Sequence, residues 1–124
     1  MTDAAFRPVL YLQEKCPFCM KIRIFLLEAG LLGDVEVRDF TAGTPQEDAT
    51  KAELAPHLEK VSFPAAQVEP GRFMTESDAI IGRFADQAKV DPAQMPVLKA
   101  YVEGPFQQIM TLYRENMELK KQLG

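Results

Sequence analysis

At 124 residues, with 47% hydrophobic and 26% charged content, the chain is sized and composed for one soluble globular domain with a real core. A net charge of −4 argues against a nucleic-acid surface or a polybasic membrane face. No apolar run approaches the roughly 20 residues of a membrane span, and the start of the chain lacks the basic stretch and apolar run of a signal peptide. Two cysteines are too few for a secreted disulfide framework, so the expected setting is cytoplasmic.

Residues 8–12 form an apolar, strand-like run, followed by Cys16-Pro17-Phe18-Cys19. Pro17 suits the first position of a helix, where its missing N–H costs nothing. That helix is predicted to run to about Ala29, with Ile22, Phe25, Leu26 and Ala29 on one face and Gly30 ending it. Residues 35–40 alternate as a second strand. Thr44, Pro45 and Glu47 predict a capping box opening a second helix, which stops near Ala55, before Pro56. Pro64 precedes a short strand, Pro70-Gly71 turns the chain, and residues 72–75 return as another strand. Thr75 or Ser77 is then predicted to cap a helix carrying Ile80, Ile81, Phe84 and Ala85.

The order is βαβαββα, an α/β arrangement with a four-stranded mixed sheet and helices on both faces. After a linker at residues 89–92 the chain turns helical again from Gln94, interrupted at Gly104-Pro105. Val97, Tyr101, Phe106, Ile109, Met110, Leu112, Tyr113, Met117 and Leu119 make a broad apolar stripe there. The stripe suits either packing on the domain or a homodimer surface.

Chemistry concentrates at the two cysteines. Side chains three apart on a helix share a face, with Cβ atoms roughly 5–6 Å apart. A disulfide needs about 3.5–4.5 Å, so a small adjustment of the first turn closes it. Helix N-terminal amides favour a thiolate at this position, and the thiolate is the nucleophile in thiol–disulfide exchange. His57, the only histidine, reads as a surface residue. One histidine and two cysteines are a poor zinc set, so no metal site is expected.

Three pieces now stand in order: a strand followed by Cys16-Pro17-Phe18-Cys19, Ser62-Phe63-Pro64 before a hairpin, and Glu76-Ser77-Asp78-Ala79-Ile80 at a helix start. Over residues 7–88 the chain in this respect resembles the thioredoxin fold and, more narrowly, glutaredoxins and the N-terminal domains of glutathione transferases. The resemblance implies a thioredoxin-like domain over residues 1–88 with a helical C-terminal extension over residues 89–124. It makes Cys16 the exposed nucleophile and Cys19 the resolving thiol. It makes Pro64 cis, sets the Phe63 backbone beside the cysteinyl part of glutathione, and gives Glu76 and Ser77 the γ-glutamyl end. Lys15 and Phe18, which flank the thiols, join the glutathione-binding residues, with Lys15 standing in for the lysine that many glutaredoxins carry where this chain has Gln13.

The function implied is a glutathione-linked thiol–disulfide oxidoreductase, with glutathione as co-substrate and disulfides or glutathionylated molecules as substrates. A glutathione-binding module that acts through a protein partner with little or no catalysis is the alternative. A third reading is an iron–sulfur carrier using Cys16 from two chains and two glutathiones. Transfer to hydrophobic electrophiles is expected least, because residues 89–124 match at most the opening helices of a transferase second domain.

Overall fold

The computed structural model describes residues 6–124. Residues 1–5, on which the expectation of no signal peptide largely rests, lie outside the described residues. The elements in order are β1 (Val9–Gln13), α1 (Pro17–Glu28), β2 (Glu36–Phe40), α2 (Pro45–Leu54), β3 (Ala65–Glu69), β4 (Arg72–Thr75), α3 (Ser77–Ala88), α4 (Pro96–Glu103) and α5 (Pro105–Leu123). The four strands lie in the order β2-β1-β3-β4. β1 runs parallel to β2 and antiparallel to β3, which pairs antiparallel with β4. This is the expected mixed sheet, with first and second strands starting one residue later than the alternation suggests.

β1 explains the layering. Successive side chains on a strand point to opposite faces. Leu10 and Leu12 enter one core with Ile22, Phe25 and Leu26 of α1 and Ile80 and Phe84 of α3. Val9 and Tyr11 enter the other with Leu54 of α2 and Ala65. A strand covered on both faces has no room for a polar residue between its ends, and four of its five residues are buried. β2, at one edge, is exposed at Glu36, Arg38 and Asp39, partly covered at Val37 and buried at Phe40.

Local signals act at the helix ends, with two corrections. Gly30 sits at φ 75, Leu31 N–H donates to the Leu26 carbonyl at 2.8 Å and Gly30 N–H to Leu27 at 3.1 Å, a Schellman ending for α1. The capping box at Thr44 does not form. Glu47 accepts instead from Gly43 N–H at 2.7 Å, one residue upstream, while the Thr44 hydroxyl donates to the Thr41 carbonyl at 2.6 Å. Neither Thr75 nor Ser77 caps α3: Ser77 is the first helical residue and Glu76 occupies the cap position.

Two contacts fasten the C-terminal helices to α1. The Glu28 carboxylate, at the end of α1, accepts from Val97 N–H at 2.9 Å and Leu98 N–H at 2.8 Å at the start of α4. These are orphan amides that a carboxylate suits both by hydrogen bond and by helix dipole. At the other end of α1, the Tyr101 hydroxyl donates to the Pro17 carbonyl at 2.7 Å. Met95, Leu98 and Phe106 are buried. The break between α4 and α5 falls at Gly104, as its glycine and the following Pro105 predict.

Candidate functional site

Strand register brings the three sequence motifs to one end of the sheet. Tyr11 lies opposite Ala65, and Ala65 opposite Thr75. The chain leaving β1 toward Cys16, the chain entering β3 through Phe63-Pro64 and the chain leaving β4 toward Glu76 therefore meet at the same edge. The Phe63–Pro64 peptide is cis. Phe63 packs edge-to-face on Phe40 at 4.7 Å, and both it and Cys16 rest on the main core.

The two cysteines occupy different environments. Cys16 is the N-cap of α1, half-buried, and its Sγ accepts from Cys19 N–H at 3.4 Å. Cys19 is 1% exposed, and its Sγ accepts from Gln13 N–H at 3.3 Å. Both thiols are free. The neighbouring Cys19 thiol, acting as donor, holds Cys16 down; burial opposes this, and the N–H groups of Cys19 and Phe18 add to it, leaving Cys16 at about 6. Cys19 moves the other way: its bond to Cys16 and its burial push it far above the usual thiol range. At neutral pH the pair therefore holds one thiolate on the accessible sulfur and one proton on the buried sulfur. That division suits a nucleophile and a reserve.

At Phe18, between the two cysteines in sequence, opens a cleft of about 380 Å³ that neither Cys16 nor Cys19 lines. Its walls include Phe18, Phe63, Pro64, Glu76 and Ser77, five of the residues singled out in the sequence. Lys15 is exposed at φ 63 immediately before Cys16 and does not line this cleft. Glu76 is exposed at φ 80, a conformation that costs a non-glycine residue about 1–3 kcal/mol. Ser77 is buried at the first position of α3, an end that no side chain caps. Uncapped N–H groups at a helix start, together with a buried hydroxyl, suit a carboxylate. The Glu76 carboxylate suits an ammonium group.

Four further residues line the cleft without having been assigned a site role from the sequence: Lys21, Ser62, Asp78 and Phe106. Lys21 is 6% exposed, donates to Asp78 Oδ1 at 2.8 Å, and sets its ammonium 4.7 Å from the centre of the Phe106 ring. Phe106 also meets Phe18 edge-on at 5.2 Å. The extension thus supplies a wall of the cleft beside the thiol motif. Tyr101 stands close to both sulfurs: burial first, and then the charge of Cys16 and Cys19, raises its phenol. Neither contact is signalled by local pattern, because each joins residues some eighty positions apart. His57 lies away from this site, exposed and stacked on Phe73 at 4.1 Å. Among the described residues, no group of three or more His, Cys, Asp or Glu side chains is placed to hold a metal ion.

The family profile described as "Glutathione S-transferase, N-terminal domain" matches residues 10–99. The chain belongs to that family. Its match takes in all four strands, α1 to α3 and the start of α4. Among solved structures, glutathione transferase Omega 3C from Trametes versicolor superimposes with a TM-score of 0.56 at 22% identity, over 81% of this chain and 43% of its own. A glutathione S-transferase from the Antarctic clam Laternula elliptica gives 0.52 at 15% identity, over 68% and 36%. Glutathione transferase Omega 2C from Trametes versicolor is 27% identical, with a TM-score of 0.48 over 68% and 39%. The first two likenesses are likenesses of fold. This N-terminal domain and its extension span less than half the length of each of these proteins. No curated protein matches the sequence significantly.

Proposed function

We propose that this glutathione S-transferase N-terminal domain is a glutathione-linked thiol–disulfide oxidoreductase. The observation that carries the proposal is the division of labour between the thiols: an accessible Cys16 held at about 6 and a buried Cys19 held protonated. Family membership and the cleft that Phe18 of the thiol motif helps to line support glutathione as the co-substrate.

The Cys16 thiolate attacks the glutathione sulfur of a mixed disulfide, G–S–S–R. The Cys16–S–S–G bond forms, and R–S⁻ leaves and takes a proton from water. A second glutathione thiolate then attacks the glutathione sulfur of that bond, releasing oxidised glutathione and restoring the Cys16 thiolate. On the two-thiol route, conversion of Cys16 to a disulfide removes the charge that keeps Cys19 protonated. Cys19 gives up its proton, attacks Cys16 Sγ and expels glutathione, leaving a Cys16–Cys19 disulfide that two further glutathiones reduce.

In this assignment Phe63 and Pro64 pair with the cysteinyl part of glutathione. Ser77 takes its γ-glutamyl carboxylate, Glu76 its ammonium group, and Phe18 the wall beside the thiol. Lys15 acts on the thiolate from outside the cleft. We assign the redox domain to residues 1–88, the extension to residues 89–124, and the setting to the cytoplasm. Among the described residues no helix is long and apolar enough to cross a membrane.

Glutathione-dependent reduction of a small glutathione mixed disulfide tests the proposal, with wild type, Cys16→Ser and Cys19→Ser compared. Turnover in wild type that is lost in Cys16→Ser and retained, at altered rate, in Cys19→Ser is the expected pattern. Glutathione binding with no wild-type turnover would overturn it in favour of a binding module.

A further inference from the structure

Each residue between the two cysteines is held by one residue of the extension. The Pro17 carbonyl accepts from the Tyr101 hydroxyl at 2.7 Å. The Phe18 ring meets Phe106 edge-on, with 5.2 Å between centres. Tyr101 and Phe106 sit on different helices, α4 and α5, and the break at Gly104 turns both toward the same place. Their own rings lie 5.8 Å apart. Phe106 is buried and Tyr101 partly covered, whereas Phe18 is 39% exposed even with Phe106 against it.

Closing a disulfide makes a demand on this turn. Cβ atoms three apart on a helix stand roughly 5–6 Å apart, and a disulfide needs about 3.5–4.5 Å. Cys19 is poorly placed to supply the difference. It lies in the main core, fully buried, with its Sγ accepting from Gln13 N–H at 3.3 Å. Cys16 is the half-buried N-cap, in extended rather than helical geometry. The movement therefore falls on Cys16 and on the Pro17-Phe18 link that carries it. Tyr101 and Phe106 grip that link where the reduced pair has it. Contacts made better in one of two states shift the equilibrium toward that state by their differential energy.

We propose that Tyr101 and Phe106 are positioning residues that hold the Pro17-Phe18 turn in its reduced geometry and so disfavour the Cys16–Cys19 disulfide. The step they oppose is oxidation by glutathione disulfide. The Cys16–Cys19 bond forms, the glutathione S–S bond breaks, and two electrons pass to the glutathione sulfurs. The Cys19 proton leaves with one glutathione thiol, and the other thiolate takes its proton from water. Turnover is thereby steered to the one-thiol route, in which a second glutathione clears Cys16 before Cys19 reaches it. The proposal rests on the thiol-exchange reading of the site, but its test reads an equilibrium and not a rate, so absence of turnover would sink that reading alone.

The test equilibrates the full chain with glutathione at a series of reduced-to-oxidised ratios and counts the internal disulfide by thiol trapping and mass. Wild type is compared with Tyr101→Phe, Phe106→Leu and Glu28→Ala. Tyr101→Phe keeps the ring and loses the hydroxyl; it is expected to favour the disulfide about fivefold, a potential lower by about 20 mV. Phe106→Leu is expected to favour it about threefold. Glu28→Ala loosens the extension at the far end of α1 and is expected to leave the equilibrium unchanged, whereas a merely structural role would move all three alike. Coupling is reciprocal, so amide hydrogen exchange over residues 97–106 is expected to quicken in the disulfide form of wild type. An equilibrium unmoved in Tyr101→Phe, a shift as large in Glu28→Ala, no internal disulfide in any of the four proteins, or equal exchange in both redox forms would overturn the proposal.

Discussion

Two helix starts face the same cleft, and they are built in opposite ways. α1 begins on Cys16 in ordinary extended geometry, φ −103 and ψ 122, with Pro17 next and the Cys16 sulfur filling the capping role through Cys19 N–H. α3 begins on Glu76 at φ 80 and ψ 115, with no side chain capping it. The first end satisfies its own amides with the reacting atom, and in doing so stabilises that atom as an anion. The second end leaves its amides open beside a buried serine and holds a glutamate in a costly conformation. A helix N-terminus can thus serve as a charge-stabiliser for a group of the protein or as a seat for a group of a ligand. What decides between them is whether the cap is occupied from within.

Breaking the first end should have the largest effect. Cys16→Ser removes the nucleophile and should lower glutathione-dependent turnover by more than about a thousandfold, measured as glutathione oxidation. Binding of a non-reacting glutathione analogue should survive it. The second end should divide the other way. Ser77→Ala deletes a buried hydroxyl that a carboxylate would use, which should weaken glutathione binding about tenfold by calorimetry, with little change in the reactivity of Cys16 toward a small alkylating agent. Equal losses in binding and alkylation would contradict the separation. The smallest effect lies where α4 docks. Glu28→Ala uncaps α4 and should cost about 1 kcal/mol, seen as a melting temperature lower by a few degrees, while turnover near room temperature holds.

The sequence carried most of the fold because its signals are local. Pro17, Gly30 and Gly71 punctuate the chain, and the burial of β1 on both faces follows from its own run of apolar side chains. The order of motifs was legible for the same reason, and pairing register then brought the segments carrying them to one end of the sheet, where Phe18, Phe63-Pro64 and Glu76-Ser77 line one cleft. Side-chain choices among near neighbours were not legible. Glu47 reached Gly43 rather than Thr44, since one residue of displacement in a loop offers an equally good donor. Nothing in Glu76 itself announces a positive φ. The contributions of Lys21, Tyr101 and Phe106 depend on how the extension folds back over α1, and local periodicity says only that those residues prefer a partner.

The central claim is that Cys16 is a thiolate at neutral pH because Cys19 stands beside it. The folded value of about 6 lies below the unfolded thiol value near 8.5. The native state therefore sheds this proton first, and stability from Cys16 grows as pH rises from about 6 to 8.5 and is lost on descending through 6. Cys19, pushed upward, opposes the folded state only above its unfolded range. The direct measurement is the rate of Cys16 alkylation against pH in wild type and Cys19→Ala. An inflection near 6 in wild type that moves upward in Cys19→Ala is the predicted result. An inflection at or above about 8.5 in wild type would contradict it.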